Sequence, residues 1–348
     1  MLDPKRVAEG LAYVTKRAAP SFRIERLRQD ASSRTYYRAS LSDDRTFRTL
    51  IVTDLGDNKG MPPEWRAPIP EELPFVNVHR YLAAGGLPVP QLYFHDRDAG
   101  ILYMEDFGDE TLEEAMKHAK PGDRERLYDL AIRLLVRMQS YAVSHPDRSC
   151  LAYHRAFDFE LLRRELKHFQ DYILDARGIV LTPAESAVVN ASFDRLAHEL
   201  AKVPRIFVHR DYQSRNLMVM PDRLGLIDFQ DALLGPPPYD LVALLRDSYV
   251  VFSPEEVEDW VRRYVRLAVP AGVPIAPSTF LHDFTKVALQ RKLKDAGRFV
   301  FIDRVKGNPD FLPFVRGTLR YVRWALDRLP EYREVADVLC SRVPEIGG

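Results

Sequence analysis

Three polar residues with the types and spacing of a phosphoryl-transfer site lie in the second half of the chain. Asp211 stands in the string HRDYQSRNLM, Asn216 follows five residues later, and Asp228 follows twelve residues after that, in the string LIDFQD. Phosphoryl transfer needs an acceptor oxygen held in line and positive charge on the phosphates. Mg²⁺ prefers oxygen ligands, so an amide and a carboxylate suit it. The spacing therefore predicts that Asp211 accepts a hydroxyl proton, while Asn216 and Asp228 hold Mg²⁺ on ATP phosphates.

Two short apolar runs are expected to bring the metal-binding pair together. Residues 217–219 and 224–227 predict a hairpin, with its turn near residues 221–223. Such a hairpin places Asn216 and Asp228 side by side at one end.

Other polar residues around this motif are interpreted as its supports. His209 is expected to fix the loop through hydrogen bonds, and Asp240, which follows a run of prolines, to cap the next helix and brace the loop. Asp231 is open between a second metal contact and a loop-fixing carboxylate. Arg246 and Asp247 are expected to form an internal ion pair.

The first hundred residues predict a small lobe of mixed structure. A helix is expected over residues 1–20 and another over residues 71–84, and the proline-rich segment 56–70 predicts a mobile loop. Five mostly antiparallel strands are expected at residues 24–27, 36–41, 46–53, 88–95 and 100–104.

The character of the sequence changes after residues 105–109, where apolar residues take helical spacing. Helices are expected at residues 111–118, 124–144, 159–174 and 182–201, and the chain is expected to be helical again from 239 to about 338. The prediction is an α+β, two-lobed, protein-kinase-like fold. Residues 1–104 form the nucleotide-binding lobe, 105–109 the hinge and 110–348 the catalytic and substrate-binding lobe. ATP is expected in the cleft between the lobes.

Composition limits the classes of partner. The 348 residues include 50 Lys and Arg against 50 Asp and Glu, so no bulk charge favours nucleic acid or a membrane surface. The two cysteines, Cys150 and Cys340, lie far apart and predict neither a disulfide framework nor a zinc site. With no apolar run of about 18 residues and no signal-like start, we expect a cytoplasmic monomer that acts on a small molecule.

The set His209, Asp211 and Asn216 with Asp228 resembles the aminoglycoside phosphotransferase family, the small-molecule branch of the protein-kinase-like fold. The flanking strings are most similar to those of its cell-wall amino-sugar kinases; these strings are DAS at 30–32, HRDYQSRNLM, IDFQDALLGPPPYDL, LLRDSY and LQRKLKDAGRF. The resemblance implies ATP and Mg²⁺ as cofactors. It also implies phosphorylation of the anomeric hydroxyl of N-acetylmuramate or N-acetylglucosamine in cell-wall sugar recycling.

The resemblance also implies which residues contact the nucleotide. Ser32, Ser33 and Arg34 are expected to cover the phosphates in place of a glycine-rich loop. Glu105 and Phe107 stand where a hinge meets adenine through backbone groups.

The third strand departs from the kinase pattern, because it lacks the lysine that contacts the α- and β-phosphates. Arg34, Arg38 or Lys59 could supply that charge, and the sequence leaves the choice open.

The acceptor side is less defined. Glu165 and Arg291 are expected to line the acceptor pocket, with a solvated helix face as the alternative. Arg and Lys residues near position 291 favour an anionic or neutral acceptor over a polycation.

Two rival functions remain open from the sequence. One is a kinase for another small acceptor, namely an aminoglycoside, choline, homoserine or a methylthio-sugar. The other is a nucleotide-binding pseudo-enzyme, which the missing lysine favours and the intact Asp211, Asn216 and Asp228 oppose. The short span between Asp228 and Asp240 leaves little platform for a peptide substrate.

Overall fold

A five-stranded antiparallel sheet forms the core of the first lobe in the computed structural model, which describes residues 2–18, 20–27, 34–42, 46–56 and 72–348. The strands are β1 (Phe22–Arg26), β2 (Thr35–Leu41), β3 (Thr49–Asp54), β4 (Leu92–Asp96) and β5 (Ile101–Glu105). Their spatial order is β1-β2-β3-β5-β4, and every neighbouring pair is antiparallel. The small mixed lobe is therefore confirmed, although β3 begins three residues later than expected. The expected loop at 56–70 lies almost entirely outside the described residues.

Two helices flank this sheet. Helix α1 (Pro4–Thr15) is shorter than expected: it starts behind the side-chain cap of Asp3 and ends at Lys16, which has a left-handed backbone. It buries Val7 and Leu11 together with apolar residues of the sheet. Helix α2 (Pro74–Ala84) has proline in its first turn, as proline's fixed φ favours. It joins the apolar core of the second lobe rather than that of α1.

The second lobe is mainly helical, as expected. Its helices are α3 (Leu112–His118), α4 (Pro121–Ser144), α5 (Phe159–Phe169), α6 (Pro183–Ala201), α7 (Tyr239–Leu245), α8 (Pro254–Ala268), α9 (Phe280–Lys306), α10 (Pro313–Leu326), α11 (Arg333–Arg342) and α12 (Pro344–Gly347). Helix α9 runs through the middle of the lobe, where residues 287–293 are all buried. Of the described residues, no helix combines the length and apolar character that a bilayer span needs.

One predicted helix ends early for a visible reason. Residues 159–174 were expected to form a single helix, but α5 stops at Phe169 and continues as a wider turn over Gln170–Leu174. Helix α9 crosses this point so closely that a Cβ added at Gly297 would lie 2.2 Å from the carbonyl oxygen of His168. Glycine is therefore required at the crossing.

Two small antiparallel pairs carry the polar motif. The predicted hairpin is confirmed as β7 (Leu217–Val219) paired with β8 (Leu224–Leu226). A second pair, β6 (Ile206–Val208) with β9 (Leu233–Gly235), was not predicted from the sequence. The polar loop that contains Asp211 joins β6 to β7, so both of its ends are held by strands.

Candidate active site

The loop after β6 is fixed by a buried carboxylate. Asp240 is fully buried; its Oδ2 accepts a hydrogen bond from the backbone N–H of His209 at 2.7 Å, and its Oδ1 accepts one from Arg210 at 3.0 Å. Asp240 thus contacts the loop as expected, but Pro238 occupies the helix cap, and Asp240 lies inside the first turn of α7. The expected cap was placed two residues too late.

His209 ties this loop to the end of β8. Its Nε2 lies 3.0 Å from the carbonyl oxygen of Ile227. Burial lowers the pKa of His209 to about 4, although the charge of Asp211 opposes this shift. The ring is therefore neutral at pH 7, and the carbonyl partner assigns its proton to Nε2.

Asp211 is the accessible carboxylate of the loop. Its side chain is 34% exposed, and its Oδ1 lies 3.3 Å from Nη2 of Arg291 on α9. Burial alone would raise the pKa of Asp211, but the charges of Arg291, Lys294 and Arg210 outweigh burial and lower it. An ionised, partly exposed carboxylate can accept a hydrogen bond from a hydroxyl.

Asn216 and Asp228 lie at one end of the hairpin. Nδ2 of Asn216 donates to the backbone carbonyl of Asp211 at 2.8 Å, which orients the amide, and the carbonyl of Asn216 accepts from the N–H of Ile227 at 3.1 Å. Asp228 follows directly and has a left-handed backbone, φ 62°. A non-glycine residue in this region is strained, and such strain concentrates at functional sites.

The donors of this pair fit Mg²⁺. The Asp228 side chain is 41% exposed, and Nε2 of Gln230 donates to its Oδ1 at 2.8 Å. Burial raises the pKa of Asp228, so a cation beside it would offset an electrostatic cost. Among the described residues there is no group of three or more His, Cys, Asp or Glu that would hold a metal unaided. Mg²⁺ bound through few protein oxygens takes its other ligands from phosphates and water.

The structure separates the three cations proposed to replace the missing lysine. Arg34 is buried, and its Nη1 lies 4.0 Å from Oδ1 of Asp228. Arg38 is engaged elsewhere, since its guanidinium contacts Asp106 and Asp109 at 2.6 Å each. Lys59, like Ser32 and Ser33, lies outside the described residues. Of the two candidates that the structure describes, Arg34 is therefore the one that lies beside Asp228.

The predicted hinge is tied to both lobes. The backbone N–H of Glu105 donates to the carbonyl of Gln91 at 2.9 Å, and its carboxylate accepts from the N–H of Gln91 at 3.0 Å. Phe107 packs on the hairpin so closely that a Cβ at Gly225 would lie 2.5 Å from its ring. The hinge thus contacts the element that carries Asn216. Adenine binding by Glu105 and Phe107 stays a prediction.

The two expected acceptor residues lie behind the loop. Glu165 is buried, and its two oxygens contact Nη2 of Arg210 at 3.1 Å and Nε2 of Gln290 at 3.0 Å. Arg291 is buried against Asp211. Neither residue belongs to a solvated helix face. Their contact with the acceptor stays a prediction, while in the structure Glu165 contacts Arg210 and Gln290, and Arg291 contacts Arg210 and Asp211.

The expected ion pair between Arg246 and Asp247 is wrong. Asp247 accepts hydrogen bonds from the backbone N–H groups of Ser214 at 2.8 Å and Tyr249 at 3.2 Å. The guanidinium of Arg246 instead lies 3.8 Å from the ring centroid of Trp324. Helix α7 ends at Leu245, so the two residues lie in the turn that follows it, where Asp247 contacts backbone N–H groups and Arg246 packs on an aromatic ring.

Asp231 contacts neighbouring protein side chains. Its carboxylate lies 3.3 Å from Nε2 of Gln230 and 4.0 Å from Nη1 of Arg155. These contacts favour the loop-fixing interpretation over a metal contact.

Sequence reasoning missed Asp295. It accepts from Nζ of Lys292 at 2.8 Å, and Nζ of Lys294 lies 2.9 Å away. The signal was present in the string RKLKD, where a lone acidic residue follows three cations within one helical turn.

Comparison with known proteins agrees with this fold. A model of the phosphotransferase enzyme family matches residues 23–273. The N-acetylmuramate/N-acetylglucosamine kinase of Pseudomonas aeruginosa is 34% identical over 340 residues, which cover 96% of this chain and 91% of that protein. The choline kinase of Cryptosporidium parvum Iowa II superposes with a TM-score of 0.63 at 14% identity, covering 96% of this chain and 98% of that one.

A second solved structure, amicoumacin kinase hAmiN in complex with AMP-PNP, Ca²⁺ and Ami, superposes with a TM-score of 0.62 at 14% identity and 94% coverage of both chains. At these identities the structures support the two-lobed kinase-like fold alone. The family match spans most of the chain, and the Pseudomonas relative spans nearly all of it. This chain belongs to the phosphotransferase enzyme family.

Proposed function

We propose that this protein is an ATP- and Mg²⁺-dependent kinase that phosphorylates the anomeric hydroxyl of an N-acetylated amino sugar. The observation that carries the proposal is the ionised Asp211 carboxylate beside Asn216, with Asp228 at the same end of the hairpin. The name of the Pseudomonas aeruginosa relative supports N-acetylmuramate and N-acetylglucosamine as acceptors. We place the enzyme in the cytoplasm, as a monomer, in the recycling of cell-wall sugars.

The acceptor chemistry follows from Asp211. Its carboxylate would accept a hydrogen bond from the anomeric hydroxyl and take the proton as the oxygen attacks the γ-phosphorus of ATP. The anomeric hydroxyl is more acidic than other sugar hydroxyls, so a carboxylate whose pKa is lowered can still act as its base. The neutral His209 keeps the loop in place without competing for the proton.

The phosphate chemistry falls to the residues near Asp228. Oδ1 of Asn216 and the carboxylate of Asp228 would hold Mg²⁺, which when bound supplies positive charge to the phosphates. Arg34 would add charge from the side of the small lobe, with Ser32 and Ser33 beside it in the sequence. We propose that adenine lies against residues 105–107, between lobes comprising residues 1–104 and 110–348.

The test is a reaction with each sugar followed by NMR. The wild-type protein with MgATP and N-acetylmuramate or N-acetylglucosamine should release ADP, and phosphorus should couple to the anomeric proton of the product. Asp211→Asn should retain MgATP binding and lose about two to four decades of kcat.

Three results would contradict the proposal. Near-wild-type turnover of Asp211→Asn would show that Asp211 is not the catalytic base. Coupling of phosphorus to the C6 protons would show that the enzyme phosphorylates the 6-hydroxyl and not the anomeric hydroxyl. Turnover with kanamycin-like amines and none with either sugar would favour the aminoglycoside alternative.

A further inference from the structure

A cation reaches the catalytic loop from a helix 80 residues further along the chain. Arg291 on α9 donates through Nη1 to the backbone carbonyl of Arg210 at 2.7 Å, and its Nη2 lies 3.3 Å from Oδ1 of Asp211. The planar guanidinium thus holds a main-chain group and the Asp211 carboxylate at once, which the single ammonium of a lysine could not do with the same geometry.

The guanidinium is itself held from the other sides. Its Nε lies 3.7 Å from Oδ2 of Asp295, one turn later on α9, and its central carbon lies 5.0 Å from the ring centroid of Tyr239. Only 3% of the Arg291 side chain is exposed. Little of it remains for contact with an acceptor, whereas 34% of Asp211 is exposed.

We propose that Arg291 is a positioning residue: by holding the Arg210 carbonyl and the Asp211 carboxylate together, it keeps that carboxylate aimed at the acceptor hydroxyl, acting through Asp211 rather than on the sugar. This rests on the proposed function, because it requires Asp211 to be the base. The two residues that follow Asp211 in the sequence, Tyr212 and Gln213, carry no positive charge that could take the place of Arg291.

The charges around Asp211 come from several elements. Lys294 joins Arg291 on α9, and Arg210 and His209 belong to the same loop as Asp211. The carboxylates that face it are Asp228, after β8, and Asp240, on α7. Arg291 has the largest effect of the surrounding charges, so its removal should return the pKa of Asp211 toward or above its ordinary value.

The central experiment is the pH dependence of kcat for Arg291→Gln. In the wild-type protein, protonation of Asp211 should not limit kcat at pH 5 and above. In Arg291→Gln the acid limb should move upward by about 1–3 pH units relative to the wild type. We expect kcat at pH 7.5 to fall by about 10- to 100-fold from misorientation, with the KM values for acceptor and MgATP within about threefold.

Lys292→Gln is the matched control. Lys292 is the next residue of α9, is equally buried and shares the counter-ion Asp295 at 2.8 Å, but it makes no contact with Asp211. Its loss should lower the melting temperature and leave the acid limb of kcat where the wild type has it. A general disturbance of α9 would move the limb in both variants and overturn the proposal.

Arg291→Lys keeps the test decisive if Arg291→Gln does not fold. Lysine retains the positive charge but cannot contact the Arg210 carbonyl and the Asp211 carboxylate together. The acid limb of the kcat profile should therefore stay within about 0.5 pH units of the wild type while kcat falls. An unchanged kcat in this variant, or a rise in acceptor KM as the main effect, would overturn the proposal in favour of no role or of acceptor binding.

The variant Asp211→Asn distinguishes failure of the proposed function from failure of the role proposed for Arg291. If that variant turns over normally, Asp211 is not the base and the proposed function fails. If it is inactive and Arg291→Gln keeps a wild-type acid limb, only the role of Arg291 is rejected.

Discussion

Arg34 lies beside Asp228, one of the two residues proposed to bind Mg²⁺. The third strand has no lysine that could supply a positive charge there. Nη1 of Arg34 lies 4.0 Å from Asp228, and the contacts and charges of Tyr36 and Asp228 outweigh burial to raise its pKa, so it is always charged. Its buried charge lies near the carboxylates of Asp228 and Asp231, and it can stabilise an anionic ligand as well. The position therefore favours an enzyme over a pseudo-enzyme.

Arg34→Gln should weaken MgATP binding by about 10- to 100-fold, the equivalent of one charge-assisted hydrogen bond. Calorimetric titration with the non-hydrolysable analogue AMP-PNP and Mg²⁺ measures this directly. Arg23→Gln, at an exposed position of β1, is the control and should bind normally. Equal affinity in both variants would show that another cation contacts the phosphates.

The fully buried His209 makes a specific contribution to acid stability. Its pKa is lowered to about 4, so the unfolded chain binds a proton more readily than the folded one between pH 6.5 and 4. Stability from this residue is complete above pH 6.5 and is lost as the pH falls. The loss between pH 7 and pH 5 should be about 2 kcal/mol.

His209→Gln should remove this dependence while keeping a donor for the carbonyl of Ile227. Urea unfolding at pH 7 and pH 5 would show a smaller loss in the variant by about 2 kcal/mol. Burial raises the pKa of Asp240 to about 7, which makes the folded state more stable as the pH falls through that range, but this contribution is shared by both proteins and cancels. An identical pH dependence would mean that the ring is charged in the folded state.

The residues that could be predicted from the sequence are those whose contacts are local. Asp211 and Asn216 meet through a five-residue separation, and Asp228 joins them through one hairpin. Arg291 could be named but its partner could not, because the contact joins positions 80 residues apart. Only the tertiary packing of α9 brings those positions together.

At the scale of elements, helix α9 approaches helix α5 closely enough to restrict which residue can stand at the crossing. Gly297 permits the crossing, since a Cβ there would lie 2.2 Å from a backbone oxygen. Periodicity predicted a single helix over residues 159–174 but not the wider turn after Phe169, where α9 crosses. The strands β6 and β9 were missed because three residues carry too little pattern.

Gly297→Ala should destabilise the protein by about 3 kcal/mol, because a backbone collision cannot be relieved by a side-chain rotation. It should also reduce kcat, since α9 carries Arg291. The control is Gly317→Ala in α10, where an added Cβ meets no atom within 4 Å. That change should stabilise the helix by about 0.5–1 kcal/mol. Similar melting temperatures for the two variants would contradict the crossing described above.

At the scale of the whole molecule, the larger of the two apolar clusters includes residues of both predicted lobes. Phe75, Val78 and Leu82 of α2 belong to the same cluster as the helices of the second lobe. Buried Asn77 adds polar contacts: its Nδ2 donates to the carbonyl of Ser149 at 2.9 Å, and its Oδ1 accepts from the N–H of Leu151 at 2.7 Å. The boundary predicted at residue 104 therefore passes through this larger cluster, whereas the cluster that contains Val7 and Leu11 lies entirely before it.

Asn77→Ala should cost about 1–3 kcal/mol, because the buried amide loses two partly buried hydrogen bonds to the backbone of Ser149 and Leu151. Unfolding in urea should still be a single transition, with tryptophan fluorescence and far-ultraviolet circular dichroism giving the same midpoint. Asn190→Ala, on the exposed side of α6, should change stability by less than about 1 kcal/mol. Separate midpoints for the two signals would indicate lobes that unfold independently.

The position of Arg291 bears on how genes of this kind are recognised. The family match ends at residue 273, so the guanidinium beside Asp211 comes from a helix that begins after the matched region. A gene cut short by a premature stop codon after that point would keep the complete HRDYQSRN string and still match the family. Its product would lack α9 and with it Arg291, so it would match the family without the residue proposed to position Asp211, and a census of genomes that counts motifs alone would overestimate the number of fully active enzymes.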